Sequence, residues 1–447
     1  MKPNPIQTIG LGTLVPYLFV LYSRIFDVKF SWLHIPMLLS TLLLVLSAVS
    51  MQLFGVMSRT RIGRYLGWFT VWALVGVPFS VWRTGAMVQA TQVWPRALLV
   101  FIAVGCTVTS LAGVRRAIFT LGFAVVILGV ISRIWGEMQD GRLFLPQGKF
   151  ENPNDLAQAV LMGFPFLLFI VMEGNNLMRF LVFLGAIPLF QALIRTGSRG
   201  GMLGMIVILL FVFFRCSLGG KMLALTGGLA VLLITMAVLP ESLLQRYVTL
   251  FHAGPSAAMQ SSGCPTCVMH QEEMAAGSAN ERYQLLKESI TMSLENPIFG
   301  VGMGQFPVAR GMDADRQGIH IPWRVSHNSY TEVSSETGLL GLILYMTSFF
   351  GCIGMCWRLG RFAEARAHPQ WKLISRVTFC LQMSLLSYAV TSFFASVAYQ
   401  QYFPTLAGLT VALMQAVEPE YKKWKRQTEA AAQAPLDFQR RRVLRAA

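Results

Sequence analysis

Apolar residues along the chain fall into twelve runs, at roughly 6–22, 32–55, 66–82, 95–112, 116–135, 156–172, 177–194, 201–216, 221–239, 338–357, 377–397 and 401–417. Each is near the length of about 20 helical residues that crosses a bilayer core. Most connections between them are short, as packed helices require. Two are long: 134–155, and 240–337 between the ninth and tenth runs. The pattern predicts an all-α polytopic membrane protein of about twelve transmembrane helices with one large loop that itself contains helices. Spans one to nine then occupy 1–239, the loop 240–337, spans ten to twelve 338–417, and a basic tail 418–447. The first run lacks a convincing small-residue cleavage site and reads as a retained span rather than a cleaved signal peptide.

Within the large loop the pattern changes three times. Residues 254–279, "GPSAAMQSSGCPTCVMHQEEMAAGSA", are small and polar and read as a flexible segment. Residues 280–295, "NERYQLLKESITMSLE", carry apolar positions at helical spacing, with Ser278 or Asn280 as the expected cap. "NPIFGVGMGQF" follows, with Gly300, Gly302 and Gly304 marking a tight backbone path close to packing or ligand. A polar stretch, 324–338 "RVSHNSYTEVSSETG", then ends where the tenth apolar run begins.

Composition narrows the class. The chain of 447 residues is 54% hydrophobic and only 13% charged, against about 25% charged in average soluble domains. Charge distribution supplies the orientation. With a cytoplasmic N-terminus and alternating spans, the cytoplasmic segments hold 22 of the 37 basic residues but only 6 of the 21 acidic ones. The whole formal charge of +16 thus falls on one face, as the positive-inside rule expects. This topology, together with attraction of the tail "YKKWKR…RRRVLR" to anionic lipid, accounts for the basic balance without nucleic acid. Both termini are expected in the cytoplasm, and both long connections on the opposite side.

Polar residues that could carry chemistry gather on that opposite side in four places. "FENPNDLAQ" leads into the sixth run, where Asn152 and Asn154 around Pro153 fit a turn and helix cap. "RTGSRGG" joins the seventh and eighth runs. Its Arg195 and Arg199 run against the positive-inside bias, and beside Ser198 and three glycines they suit either interfacial snorkelling or an anion site. The second reading draws on bidentate guanidinium donors and the positive end of the following helix. Arg282, in "NERYQ", could pair with Glu281 or Glu288 on the surface or face a phosphate. His327, in "SHNSYTE" beside Asn328 and Tyr330, lies just before a membrane helix, and histidine is the side chain able to take a proton near neutral pH. No carboxylate cluster, phosphate-binding loop or nucleophile elbow is visible.

Cys106, Cys216, Cys352, Cys356 and Cys380 sit in or beside spans and read as inert apolar residues. "CPTCVMH" offers Cys264, Cys267 and His270, one short of the usual four metal ligands; a disulfide or free thiols suit an oxidising compartment better than a metal.

The order "NPNDLA", "SRGG", "NERYQLLKESITMSLENPIFGVGMGQF", "SHNSYTEVSSETGLLGL" resembles the O-antigen ligase family, the ligase and polymerase superfamily of bacterial envelope glycan assembly, over about residues 150–345. The resemblance implies an inner-membrane enzyme with its active site on the periplasmic face. It implies transfer of a glycan from a polyprenyl (undecaprenyl) diphosphate carrier to an acceptor hydroxyl, with no cofactor and no metal. It implies that His327 is the general base, that Arg199 and Arg282, with Arg195 as a looser match, hold the diphosphate, and that Ser198, Asn328, Tyr330, Asn152 and Asn154 support them. The expected partners are the lipid-linked donor, a lipid A–core or other hydroxyl acceptor, and membrane lipid. The "GPSAAMQSSGCPTCVMH" insertion departs from the family pattern. Ligase, polymerase and protein O-oligosaccharyltransferase remain open, with ligase favoured. Two other classes compete: a secondary transporter, which would place its ionisable groups at the bilayer midplane, and an envelope scaffold.

Overall fold

The structure, a computed structural model, describes residues 5–49, 53–139, 141–146, 152–215, 218, 221–222 and 265–430. The ninth apolar run from 223 onward, Cys216, the segment 254–264 and the Cys264, Cys267 and His270 side chains lie outside what is described.

The described residues are almost wholly helical. Among the described residues, five long helices precede the first long connection: α1 (Pro5–Ser23), α2 (Ile35–Val49), α3 (Arg61–Gly76), α4 (Arg83–Thr107) and α5 (Leu111–Trp135), with short helical turns at Ile25–Val28 and Leu53–Arg59 between them. A small antiparallel hairpin follows, β1 (Glu137–Gln139) with β2 (Arg142–Phe144). Next come α6 (Pro153–Glu173), α7 (Asn176–Arg195) and α8 (Arg199–Arg215). The loop contributes α9 (Pro265–Glu295) and α10 (Phe306–Arg316), and the chain continues through α11 (Ser329–Glu364), α12 (Trp371–Thr391) and α13 (Tyr402–Ala416). Seven of the described helices are long and apolar enough to cross a membrane. This is a multi-pass all-α membrane protein. Large side chains such as Trp68, Phe183, Phe214 and Phe350 stand more than half exposed on these helices, a pattern suited to lipid rather than water.

The interior is built by α5 packing against α1, α6 and α7, and by α12 packing against α6, α8 and α11. Contact is close: a Cβ on Gly129 of α5 would lie 2.7 Å from the backbone of Leu189 in α7, the small-residue approach that membrane helices use in place of a hydrophobic drive. Polar ties at one end of the bundle join Arg376 to Glu173, and Arg115 to the Glu173 carbonyl. The other end carries the hairpin, the starts of α6, α8, α11 and α13, and the ends of α7 and α12.

Three local expectations change. Helix α4 begins at Arg83, twelve residues before the expected start at 95, and passes through a π turn at Gln89–Val93. Helix α9 does not start at Ser278 or Asn280 but runs back to Pro265. The stretch "HQEEMAA" is rich in strong helix formers, which carry the helix through Gly277. The polar residues 329–337 form the first two turns of α11 rather than a loop before it; Gly338, with φ 73° and ψ 179°, kinks the helix where the apolar run begins.

Candidate functional site

The site is assembled around the start of α11. Asn328 caps it, its Oδ1 accepting the Tyr330 and Thr331 amides at 2.9 and 3.1 Å. Ser326 donates to the Asn328 carbonyl at 3.1 Å. Between these two buried residues His327 adopts the left-handed region, φ 53°, a strained conformation that needs surrounding contacts to persist. Those contacts come from the strap 392–398 between α12 and α13. The Ser329 amide donates to the Ser392 carbonyl, its hydroxyl donates to the Ala395 carbonyl at 2.7 Å, and the same oxygen accepts the Val397 amide at 2.9 Å. The Tyr330 hydroxyl donates to the Ala389 carbonyl at 2.7 Å.

Helix α9 lies along α11, joined to it by Ser289 to Thr331 at 2.9 Å and Ser293 to Ser334 at 2.7 Å. This seam carries Arg282 to the histidine. The two acids that could have neutralised Arg282 are engaged elsewhere, Glu281 with Arg324 at 3.2 Å and Glu288 with Arg310. Burial, then the charge of Arg199 on α8, push the Arg282 guanidinium below its ordinary range, with Glu281 opposing them. Burial, then Arg282 and then Arg324, push the His327 imidazole down to about 4. Arg199, Arg282, Arg324 and His327 therefore form one electrostatic cluster in which the histidine is neutral at ordinary pH.

Ser198 caps α8, its Oγ accepting the Gly201 amide at 3.1 Å, after a turn through Gly197 at φ 57°. Arg199 is the first residue of that helix and projects from its positive end. Arg195 ends α7 across the same turn, and among the described residues no comparable interaction ties it to the cluster. Asn152 caps α6 through the Asn154 amide at 3.0 Å. Asn154 in turn accepts from Arg142 of the hairpin at 2.9 Å, and Arg142 also donates to the Thr196 carbonyl at 2.8 Å. The asparagines thus hold the α6 start, the hairpin and the Arg199 turn in one frame.

The glycine-rich segment answers to packing. The Val301 and Gly302 amides donate to the Ser335 and Glu336 carbonyls, and the Leu339 amide to the Pro297 carbonyl at 2.8 Å. A Cβ on Gly338 would sit 2.0 Å from the Ile298 carbonyl oxygen. Phe299 inserts between Trp72 and Phe79, with ring centroids 4.7 and 4.3 Å away. The loop therefore clasps the kink of α11 and ties it to α3.

Sequence reasoning missed four features: Arg324, Arg142, the strap, and a carboxylate group that corrects the reading that none is visible. Glu332 and Glu336 lie one turn apart on α11, and Asp155 of α6 is within electrostatic reach of Glu332. The available signal was the four-residue spacing in "TEVSSET", which puts both acids on one helix face.

A family model described as O-antigen ligase matches residues 184–346, from within α7 to the first apolar turns of α11. This segment belongs to the O-antigen ligase family. The match contains Arg195, Arg199, Arg282, Arg324, His327 and both α11 glutamates. No curated protein matches the chain. The matched family implies a lipid-linked glycan donor and a glycan acceptor, and supports a glycosyltransferase of ligase or polymerase type.

Proposed function

We propose that the protein is an inverting glycosyltransferase of the bacterial inner membrane that moves a glycan from a polyprenyl diphosphate carrier to an acceptor hydroxyl at the periplasmic face. The observation that carries this is the neutral, half-buried His327 held beside Arg282, with Arg199 acting on Arg282 in turn. Arg199 and Arg282 clamp the diphosphate, with Arg324 adding charge and Arg195 meeting the headgroup at the rim. The acceptor oxygen attacks the anomeric carbon, the carbon–oxygen bond to phosphate breaks, and the diphosphate leaves with the electron pair. Fixed guanidinium groups stabilise that developing charge. The imidazole takes the acceptor's proton, a contribution of about 10²–10⁴-fold in such reactions.

An imidazole depressed to about 4 is a weak base in the free protein. A bound diphosphate places negative charge among the same arginines and removes their repulsion of the imidazolium. Substrate binding therefore strengthens the base in the complex where it is needed. Asn328, Tyr330 and Ser198 hold the two turns that present His327 and Arg199, and Asn152 and Asn154 brace them. No metal and no cofactor enters this scheme.

Among acceptors we favour lipid A–core, which makes the enzyme an O-antigen ligase. A growing glycan, as in a polymerase, or a protein hydroxyl are the competing acceptors. Purified protein incubated with an undecaprenyl-diphosphate glycan and each acceptor in turn separates them by product mass. A glycan-modified lipid A–core supports the ligase reading. Lengthened glycan alone replaces it with the polymerase reading, and no transfer to any of the three rejects the function.

A further inference from the structure

Beneath the arginine cluster, toward the bundle interior, lies a second set of polar groups that the scheme above does not use. Gln158 of α6 is 1% exposed, and neither its Oε1 nor its Nε2 has a hydrogen-bond partner among the described residues. It shares a helix face with Asp155, three residues earlier. Its depth is fixed by the neighbouring helix: Ser384 of α12 donates to the Met162 carbonyl at 3.1 Å. One turn toward the site along these antiparallel helices sets Gln158 opposite Ser387 and Tyr388. The Ser387 hydroxyl also lacks a partner among the described residues. Tyr402, which opens α13, is 1% exposed with a hydroxyl in the same condition, and it lies within reach of the charge of Arg24, itself paired with Asp27 at 2.7 Å, and then of Asp155. Glu332 completes the wall, half-buried, with one carboxylate oxygen accepting the Ala398 amide at 3.2 Å.

Buried polar groups cost stability unless something satisfies them, and polar residues inside membrane bundles mark function more often than packing. The group mixes carboxylate acceptors, an amide that both donates and accepts, and a phenol. That is hydrogen-bonding capacity for hydroxyls, not for an anion, which the acids would repel. Nor do the acids form a metal-ligand group among the described residues.

We propose that Asp155, Gln158, Glu332 and Tyr402 form a subsite for an uncharged sugar ring of the glycan substrates, adjoining the diphosphate clamp. This rests on the functional reading above. The arginines and the acids then divide one substrate by charge: phosphate on the cationic wall, the polyhydroxylated ring on the acidic one. The arrangement disfavours a uronic acid at this position.

The test exploits the unpartnered atoms. Replacing a buried polar group that has no partner by an apolar group of similar shape is neutral or stabilising for the fold. A ligand role therefore predicts that Gln158→Leu and the milder Tyr402→Phe keep or raise the thermal midpoint while weakening sugar recognition. Binding of undecaprenyl-diphosphate N-acetylglucosamine, of bare undecaprenyl diphosphate and of lipid A–core is measured for each. A fall of about 3- to 10-fold per variant for the sugar-bearing carrier, with the bare carrier unchanged, places the donor's ring here. The same fall confined to lipid A–core places the acceptor's ring here. A lowered midpoint with all three affinities unchanged overturns the proposal in favour of a packing role. Unchanged midpoint and affinities overturn it as well. Wild-type protein that binds none of the three probes rejects the functional reading, and this subsite with it.

Discussion

Glu336 is the side chain through which α11 grips the glycine-rich segment and the start of α10. It is 3% exposed, and its two oxygens accept the Gly304 amide at 2.7 Å and the Phe306 amide at 3.2 Å. Phe306 opens helix α10, so the carboxylate satisfies a first-turn donor that no intrahelical partner can reach, along with the Gly304 amide just before the helix. Glu336→Ala leaves both amides unsatisfied in a largely buried place. At about 1–3 kcal/mol each, and with partial relaxation, the clasp should lose about 2–4 kcal/mol of its resistance to opening. Amide hydrogen exchange of peptides spanning 297–306 reads this directly, because local opening sets exchange. The expected acceleration is about 30- to 1,000-fold, with little change in α5 or α6. Glu336→Gln keeps one acceptor oxygen and should fall between wild type and the alanine variant. Exchange within threefold of wild type in Glu336→Ala would show that the carboxylate is not what closes the loop.

Other predictions follow from the same geometry. Because burial, then the charges of Arg282 and Arg324, lower the His327 pKa to about 4, the acid limb of kcat/KM, which reports the free enzyme, should fall near pH 4, and Arg282→Ala should move that limb upward even as activity drops; an unmoved or lowered limb would refute the coupling. Gly338→Ala should lower the yield of folded protein on size-exclusion chromatography, since its Cβ would stand 2.0 Å from the Ile298 carbonyl at a φ of 73°; a normal monodisperse yield would contradict the clasp. The Glu281–Arg324 pair is about half exposed at both ends, so Glu281→Gln should change thermal stability by less than about 0.5 kcal/mol, whereas a large loss would mean the pair is more deeply engaged.

Much of this architecture is readable from apolar run length alone, because bilayer thickness fixes the length of a spanning helix. The errors have local causes. The fourth apolar run begins at 95, but a π turn at Gln89–Val93 lets α4 continue back to Arg83. Residues 329–337 look like loop because they are polar, yet α9 and the glycine segment bury them, so apolarity was not the signal to seek. At the site, His327, Arg199 and Arg282 stand in short recognisable contexts. The strap 392–398, Arg142 and the facing acids of α6 and α11 do not, because only tertiary packing brings them together. Arg324 stood within the polar stretch, but its effect on His327 depends on how far α9 and the turn approach each other.

The central claim is that His327 removes a proton while Arg199 and Arg282 hold a diphosphate, and it can be tested in one experiment. Purified wild type, His327→Ala and Arg199→Ala are compared for glycan transfer from an undecaprenyl-diphosphate glycan and for binding of that carrier. The account predicts transfer lost in both variants, with carrier binding retained by His327→Ala and weakened in Arg199→Ala. Full transfer by His327→Ala would contradict it.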